Sequence, residues 1–352
     1  TPPTKRKLPN GETVEGKQPS TATPDLLYLH ANDPWVRELC LTHRRLGRLL
    51  TSYLEKFPTV AVNGRIHGRY NQGGTVTGRL SSSDPNLQNI PSKHEWGDAV
   101  RALFQGHFII GDYDALEMRI MAHLSGDKEL IRIFREGLDP HERTAVAIFG
   151  ACDGHDDPRR GQGKTINYAV GYGAGPRKLA QVLSLEGYKT TQSEAREYLD
   201  LVQGFYKGWF RYAERSKWHA KDHGYVMTLA GRRRKLKGAF EEAARWKSMM
   251  YGERQAVNSE VQGGAADIIR TGMLAVRKAL PHLRTLAQIH DEAIWEYDGI
   301  VTTDELLVIQ ECMQAPYNLR VPLIFEPFVC ETWAQKGEGS PIEQLEEEAR
   351  KQ

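Results

Sequence analysis

The stretch RGQGKTINYAVGYG, residues 160–173, organises the reading of this chain. Wound as a helix at 100° per residue, it brings Arg160, Lys164 and Tyr168 within about 80° of one another. Ile166, Ala169 and Val170 fall on the opposite side. One face is therefore apolar, and the other carries two cations followed by an aromatic ring. That order suits a triphosphate with a nucleoside at its far end: guanidinium and ammonium take phosphate charge, and the ring packs beside the nucleoside. An amphipathic surface helix with solvated Arg and Lys would show the same pattern. Two carboxylate motifs, one on each side in the sequence, weigh for the first reading.

The first motif is HFIIGDY (107–113), a short apolar run that reads as a buried strand delivering Asp112 to its end. The second lies in LAQIHDEAIWEY (286–297), a strand pair around a tight turn that carries His290, Asp291 and Glu292. Acids at such strand ends are costly unless they bind cations. Two brought together would need Mg²⁺ to relieve their repulsion. A pair of Mg²⁺ ions between them could activate an attacking oxygen and stabilise a leaving pyrophosphate.

Around these motifs the elements follow from pattern. Residues 1–24 are rich in Pro, Thr, Lys and Gly and read as an extended or mobile lead-in. Thr23-Pro24 looks like a cap starting a helix at Asp25, and helical pattern returns from Pro34 to about Lys56 with Leu39, Leu46, Leu49, Leu50 and Leu54 on one side. Residues 60–92 predict short strands joined at Asn63-Gly64, then a long polar loop. Helices are expected over 115–126, over 127–137 with Asp127 as N-cap, and over 141–149. His155, Asp156 and Asp157 belong to a solvated turn rather than a metal site. Long helical stretches follow over 191–223, then a hairpin in GYVMTLAGRRRKLKG, a helix over 241–280, another over 303–314, and a strand over 321–329.

The 352 residues allow more than one packed unit, and the composition is that of an ordinary soluble globular protein. Net charge is +2, but residues 207–237 hold ten Lys/Arg against two Asp/Glu, with Trp209, Trp218 and Tyr225 interleaved. Such a surface suits a nucleic-acid backbone, although a solvated helix face would read alike. Cys40, Cys152, Cys312 and Cys330 are scattered, which points away from a disulfide framework and from a zinc site. No apolar run is long enough to span a membrane, and no signal peptide is seen.

With these motifs in order, the chain resembles the polymerase portion of the family A DNA polymerases, the class of bacterial DNA polymerase I and phage replicases. TGRLSSSDPNLQNIP (77–91) resembles that family's template–primer segment, and DYDALEMRIMAHLSGD (112–127) its first catalytic motif. RGQGKTINYAVGYG resembles its fingers helix, ERQAVNSEVQGGAAD (253–267) a further DNA-contacting segment, and QIHDE (288–292) its second catalytic motif. The implied fold is α+β: a right-hand polymerase with an antiparallel palm sheet, helical fingers and an incomplete thumb. The implied division is a lead-in at 1–24, residual thumb and connecting helices at 25–59, and palm at 60–140. Fingers then occupy 141–255, the second part of the palm 256–338, and an acidic tail 339–352.

The resemblance implies a role for each matching residue. Asp112 and Asp291 would bind two Mg²⁺ ions, with the Tyr113 carbonyl helping and Mn²⁺ able to substitute; Glu292 would support them. Arg160, Lys164 and His141 would hold the triphosphate, Lys164 also serving catalysis. Tyr168 would pack against the sugar, and Glu117 would exclude a ribose 2′-OH. Tyr172 would stack near the template base. Arg79, Gln88, Asn89, Arg254, Asn258, Gln262 and His290 would contact DNA, in part through the minor groove.

Two departures stand out: Asp114-Ala115 where the family usually has Ser-Gln, and Ala169 where Gly is common. Asp114 could add charge near the metals or face away. The expected activity is template-directed addition of dNTPs to a primer, without an exonuclease domain, with weak DNA grip and low processivity. The expected partners are primer-template DNA, dNTPs and a separate chain supplying thumb or exonuclease. The expected location is the cytoplasm of a bacterium or a phage-infected host. The alternatives are a polymerase copying RNA and a non-catalytic DNA-binding subunit.

Overall fold

A computed structural model describes residues 4–7, 13–16, 35–91, 95–240 and 246–336. The helix expected at Asp25 and the acidic tail lie outside these residues. The strands in chain order are β1 (Thr4–Lys7), β2 (Thr13–Gly16), β3 (Ala61–Val62), β4 (Arg65–Ile66), β5 (Arg69–Asn71), β6 (Ser81–Ser83), β7 (Gln105–Tyr113), β8 (Tyr225–Met227), β9 (Arg233–Lys235), β10 (Arg284–Ile289), β11 (Glu292–Glu296) and β12 (Phe325–Thr332). The helices are α1 (Leu41–Leu49), α2 (Lys56–Val60), α3 (Glu95–Arg101), α4 (Leu116–Ser125), α5 (Lys128–Arg135), α6 (Pro140–Phe149), α7 (Pro158–Gly171), α8 (Pro176–Leu185), α9 (Gln192–Phe205), α10 (Lys207–His223), α11 (Trp246–Ala279) and α12 (Thr303–Gln314).

The central sheet is antiparallel throughout, in the order β10-β11-β7-β12. One of its two inner strands, β7, contains Ile109 and Ile110, neighbours that are both fully buried. Because adjacent side chains of a strand point to opposite faces, both faces of the sheet must be covered. On one face Ile109 and Tyr113 join Trp295 and Phe325 in the large core, which continues into the helices. On the other, Phe108 and Ile110 join Ile294, Cys330 and Trp333 in a smaller core. Each fully buried side chain of this kind contributes about 1.5–3 kcal/mol. Asp112 has the parity of Ile110, and the register sets it opposite Glu292 of β11 and Glu326 of β12.

Helix boundaries follow local chemistry. Asp127 caps α5 by accepting from Leu130 N at 2.9 Å, and its other oxygen accepts from Gly208 N and Trp209 N at the start of α10. One buried carboxylate thus meets the free N–H groups of two helices. The helical stretches expected over 191–223 are two helices, divided at Tyr206 so that α10 can begin on Asp127. Asp157 caps α7, with Pro158 at its first position, so that helix starts two residues before Arg160.

Other boundaries also differ from expectation. Within the lead-in, β1 and β2 pair antiparallel. The polar loop holds β6, paired with β5, and a 3-10 turn at Leu87–Asn89. The strand expected over 321–329 begins at Phe325, because Val321 and Leu323 are buried in the connection before it. The leucine stripe divides. Leu49, with Tyr53 and Phe57, enters the smaller core, whereas Leu39, Leu46, Leu50 and Leu54 are exposed. Helix α8 was not anticipated from pattern. The four cysteines are free thiols, and no helix among the described residues is long and apolar enough to cross a membrane.

Candidate active site

Two carboxylates meet at the end of β7. Asp112 lies one residue before the strand ends, and Asp291 occupies the two-residue turn between β10 and β11. The other residue of that turn, His290, takes φ +58°, a left-handed conformation that costs a non-glycine residue on the order of 1 kcal/mol or more. Burial raises Asp291, and the neighbouring Asp112 charge adds to it, so its carboxyl is pushed up to about 7. Asp112 is also raised by burial, against the pull of the Lys336 ammonium. Its Oδ1 is buried with no hydrogen-bond partner. An orphaned carboxylate oxygen beside a second acid suits a divalent cation. Among the described residues no third His, Cys, Asp or Glu completes a closed set.

Glu292 is held differently from the two aspartates. It is buried, accepts from the Trp333 indole at 2.9 Å, and lies 3.8 Å from Arg101 and 2.7 Å from Lys336. The Tyr113 side chain turns into the core, where its hydroxyl donates to the Met313 carbonyl at 2.5 Å. Only its main chain remains for the site.

A cationic wall faces these acids. A cavity of about 410 Å³ is lined by Asp112 and Asp291 together with His141, Arg160, Lys164 and Tyr168, within the roughly 300–1,000 Å³ common for ligand sites. Helices α6 and α7 can cross this closely because residue 163 is glycine: a Cβ there would lie 2.3 Å from the His141 carbonyl oxygen. Arg160 pairs with Asp139, at 2.7 Å from Nε and 2.5 Å from a terminal nitrogen, and Asp139 also caps α6. Ile166, Ala169 and Val170 are buried as the periodicity required, while Lys164 and Tyr168 are exposed.

His141 is buried, and desolvation lowers it to about 4. Asn167 fixes its tautomer. The amide NH₂ donates to the Pro140 carbonyl at 3.2 Å and lies 3.1 Å from His141 Nδ1, while its oxygen accepts from Thr144 at 2.9 Å. Nδ1 is therefore the acceptor, and Nε2 carries the proton. The ring is a neutral hydrogen-bond donor rather than a third cation.

Beside this cavity runs a connected polar group. Arg79 pairs with Glu117 at 2.5 Å, the Tyr172 hydroxyl donates to Glu117 at 3.3 Å, and Gln262 donates to Tyr172 at 3.3 Å. Gln88 donates to the Gln288 carbonyl at 2.9 Å, and the Asn89 carbonyl accepts from Tyr53 at 2.5 Å, so both are braced against the sheet side. Arg254 packs under Gly173 and, with Lys207, Arg211 and Lys217, lines a larger cavity of about 1240 Å³. Asn258 is half-buried on α11. Asp114 does not engage the acid pair through an ion pair of its own. Its carboxylate is taken by Arg119 at 2.5 Å, whose guanidinium also donates to the Pro322 carbonyl at 2.8 Å.

Three site residues escaped the sequence reading: Asp139, Asn167 and Lys336. Asp139-Pro140 carries a cap-then-proline signal that could have located Asp139. Asn167 looks like any helical Asn, and Lys336 is far from the motifs in sequence.

DNA polymerase family A matches this sequence over residues 4–335. The thermostable DNA polymerase I of Thermus filiformis is 38% identical over 342 residues, 93% of this chain and 39% of that protein. The DNA polymerase I of Chloroflexus aurantiacus is 38% identical over 306 residues, 83% of this chain and 32% of that one. Among solved structures, the POL domain of Pol1 from M. smegmatis, in complex with DNA primer-template and dNTP, is similar at a TM-score of 0.82 and 32% identity, over 94% of this chain and 58% of that one. The chain thus spans about two fifths or less of these curated relatives. With the acid pair, the cationic helix facing it and this extent of similarity, the chain belongs to DNA polymerase family A.

Proposed function

We propose that the chain adds deoxynucleotides to a primer 3′-OH under the direction of a DNA template and releases pyrophosphate. The observation that carries this reading is the cavity in which Asp112 and Asp291 face Arg160, Lys164 and His141. In the reaction the 3′-hydroxyl gives up its proton to solvent, its oxygen bonds the α-phosphorus, and the bond from that phosphorus to the oxygen of the leaving pyrophosphate breaks. Asp112, Asp291 and the Tyr113 carbonyl would hold two Mg²⁺, or Mn²⁺ in its place. Bound there, the ions supply activation of the attacking oxygen and charge stabilisation of the leaving pyrophosphate.

The remaining work belongs to the chain itself. Arg160, kept in place by Asp139, and Lys164 neutralise the triphosphate; the neutral His141 donates from Nε2. Lys164 is the cation placed to meet charge on the leaving group. Tyr168 packs against the sugar. Glu117, pinned between Arg79 and Tyr172, fills the space a 2′-OH would need. Arg79, Gln88, Asn89, Tyr172, Arg254, Asn258, Gln262 and His290 line the path of primer and template. A purely DNA-binding subunit would have no use for a buried carboxylate oxygen left without a partner.

In this reading residues 60–140 and 256–338 are palm, 141–255 fingers, and 25–59 the end of a thumb. The exposed Leu39, Leu46, Leu50 and Leu54 then offer a face for the rest of that thumb, from the same polypeptide or another chain. The cytoplasm is the proposed location. Primer extension with Mg²⁺, comparing dNTPs with rNTPs, tests the function. Extension with dNTPs alone, abolished in Asp291→Ala, is expected; full extension by Asp291→Ala would refute the assignment. Product length per binding event in the same assay reads whether further thumb is needed.

A further inference from the structure

Lys336 follows the short turn Trp333–Gln335 beyond β12, and its ammonium enters the acid cluster. It lies 2.6 Å from Asp112 Oδ2 and 2.7 Å from Glu292 Oε2. The two carboxylates depend on it unequally. Glu292 is also met by the Trp333 indole and by Arg101. Asp112 takes the ammonium on one oxygen only, and its other oxygen remains buried and unbonded. An ammonium thus satisfies Asp112 in part, where a divalent ion would do more. The lysine side chain is 32% exposed and sits on a flexible four-carbon stem, so it can leave Asp112 while staying beside Glu292.

We propose that Lys336 is a tethered cation that occupies Asp112 while no divalent metal is bound and yields it on loading, thereby setting the metal concentration at which the site fills. The inference rests on the reading of Asp112 and Asp291 as the metal-binding pair. A cation already on the ligand weakens apparent metal affinity, because metal must displace it and then bear its repulsion at short range. Lys336 is a positioning residue: it touches Asp112 and Glu292, not the reacting atoms.

The test is a Mn²⁺ titration of the full chain, followed by electron paramagnetic resonance without DNA or nucleotide. Lys336→Met is expected to tighten Mn²⁺ binding by about tenfold, since one nearby charge is worth on the order of a pKa unit or more. Lys336→Arg, which keeps the charge, is expected to return toward wild type. The Mg²⁺ dependence of primer extension should move to lower concentration in Lys336→Met as well. Lys336→Gln serves the same purpose if Lys336→Met does not fold. Affinity that weakens, or stays within about twofold, while Asp291→Ala loses Mn²⁺, overturns the role of Lys336 alone. Unchanged Mn²⁺ binding in Asp291→Ala would instead overturn the metal-site reading beneath it.

Discussion

His141 shows how one buried side chain ties stability to the function of the site. Burial lowers it to about 4, with Lys164 and Arg160 adding to the effect and Asp139 opposing it. Below about pH 6.5 the unfolded chain takes up a proton that the folded ring refuses. The contribution of this group is therefore fully present above pH 6.5 and is lost as pH falls toward 4. Over that window the loss amounts to about 3 kcal/mol. Urea unfolding at pH 7.5 and pH 5 should show about 2 kcal/mol of that loss, and the difference should shrink in His141→Gln, which cannot titrate; an identical pH dependence in the variant would refute the assignment. At this scale the sequence marked Asp112 and Asp291 because each sits where an apolar run reaches its end, and Arg160 and Lys164 because they share one face of a periodic helix. It could not mark Asn167 or Lys336, whose roles exist only through partners more than twenty residues away. Nor could it decide Asp114, whose direction depends on Arg119 one helical turn later.

The elements that build the cationic wall depend on a close helix crossing. At Gly163 the neighbouring atom is backbone, the His141 carbonyl, and cannot swing aside. Gly163→Ala should force α6 and α7 apart, lowering stability by about 1–3 kcal/mol and raising the KM for dNTP more than it lowers kcat. A thermal-unfolding series beside steady-state kinetics checks both, and an unchanged KM would show that the crossing does not position Arg160 and His141. The helix pattern over 160–173 was legible from its 3.6-residue period. The break at Tyr206 was not, because it answers to Asp127, a carboxylate 81 residues from Gly208.

Across the whole molecule, charged groups from separate elements line one cavity: Lys207, Arg211 and Lys217 from α10 and Arg254 from α11, with Asp200, Glu214 and Glu253 among them, so that the cations exceed the acids by one. The basic run over 207–237 was visible in the sequence, but its aromatic content is not all surface. Trp209 is buried, whereas Trp218 is 68% exposed. If this cavity takes the template backbone, the affinity for primer-template should fall steeply with salt. Arg211→Ala with Arg254→Ala should reduce the slope of log K against log salt by about 0.9 for each duplex phosphate that is no longer neutralised, or about 0.7 for single strand. Fluorescence anisotropy over a salt series measures it, and an unchanged slope would place the DNA elsewhere.

By itself the sequence determined the strand that carries Asp112 near its end, the turn that carries Asp291, and the helix that presents Arg160, Lys164 and Tyr168 on one face. All three are written in local periodicity and in the cost of an acid at the end of an apolar run. Only the tertiary structure decided that Asp139 holds Arg160, that Asn167 sets the His141 proton, and that Lys336 reaches Asp112. These are pairings between distant residues, set by sheet register and helix crossings, and nothing within a local window of sequence encodes which partner will arrive.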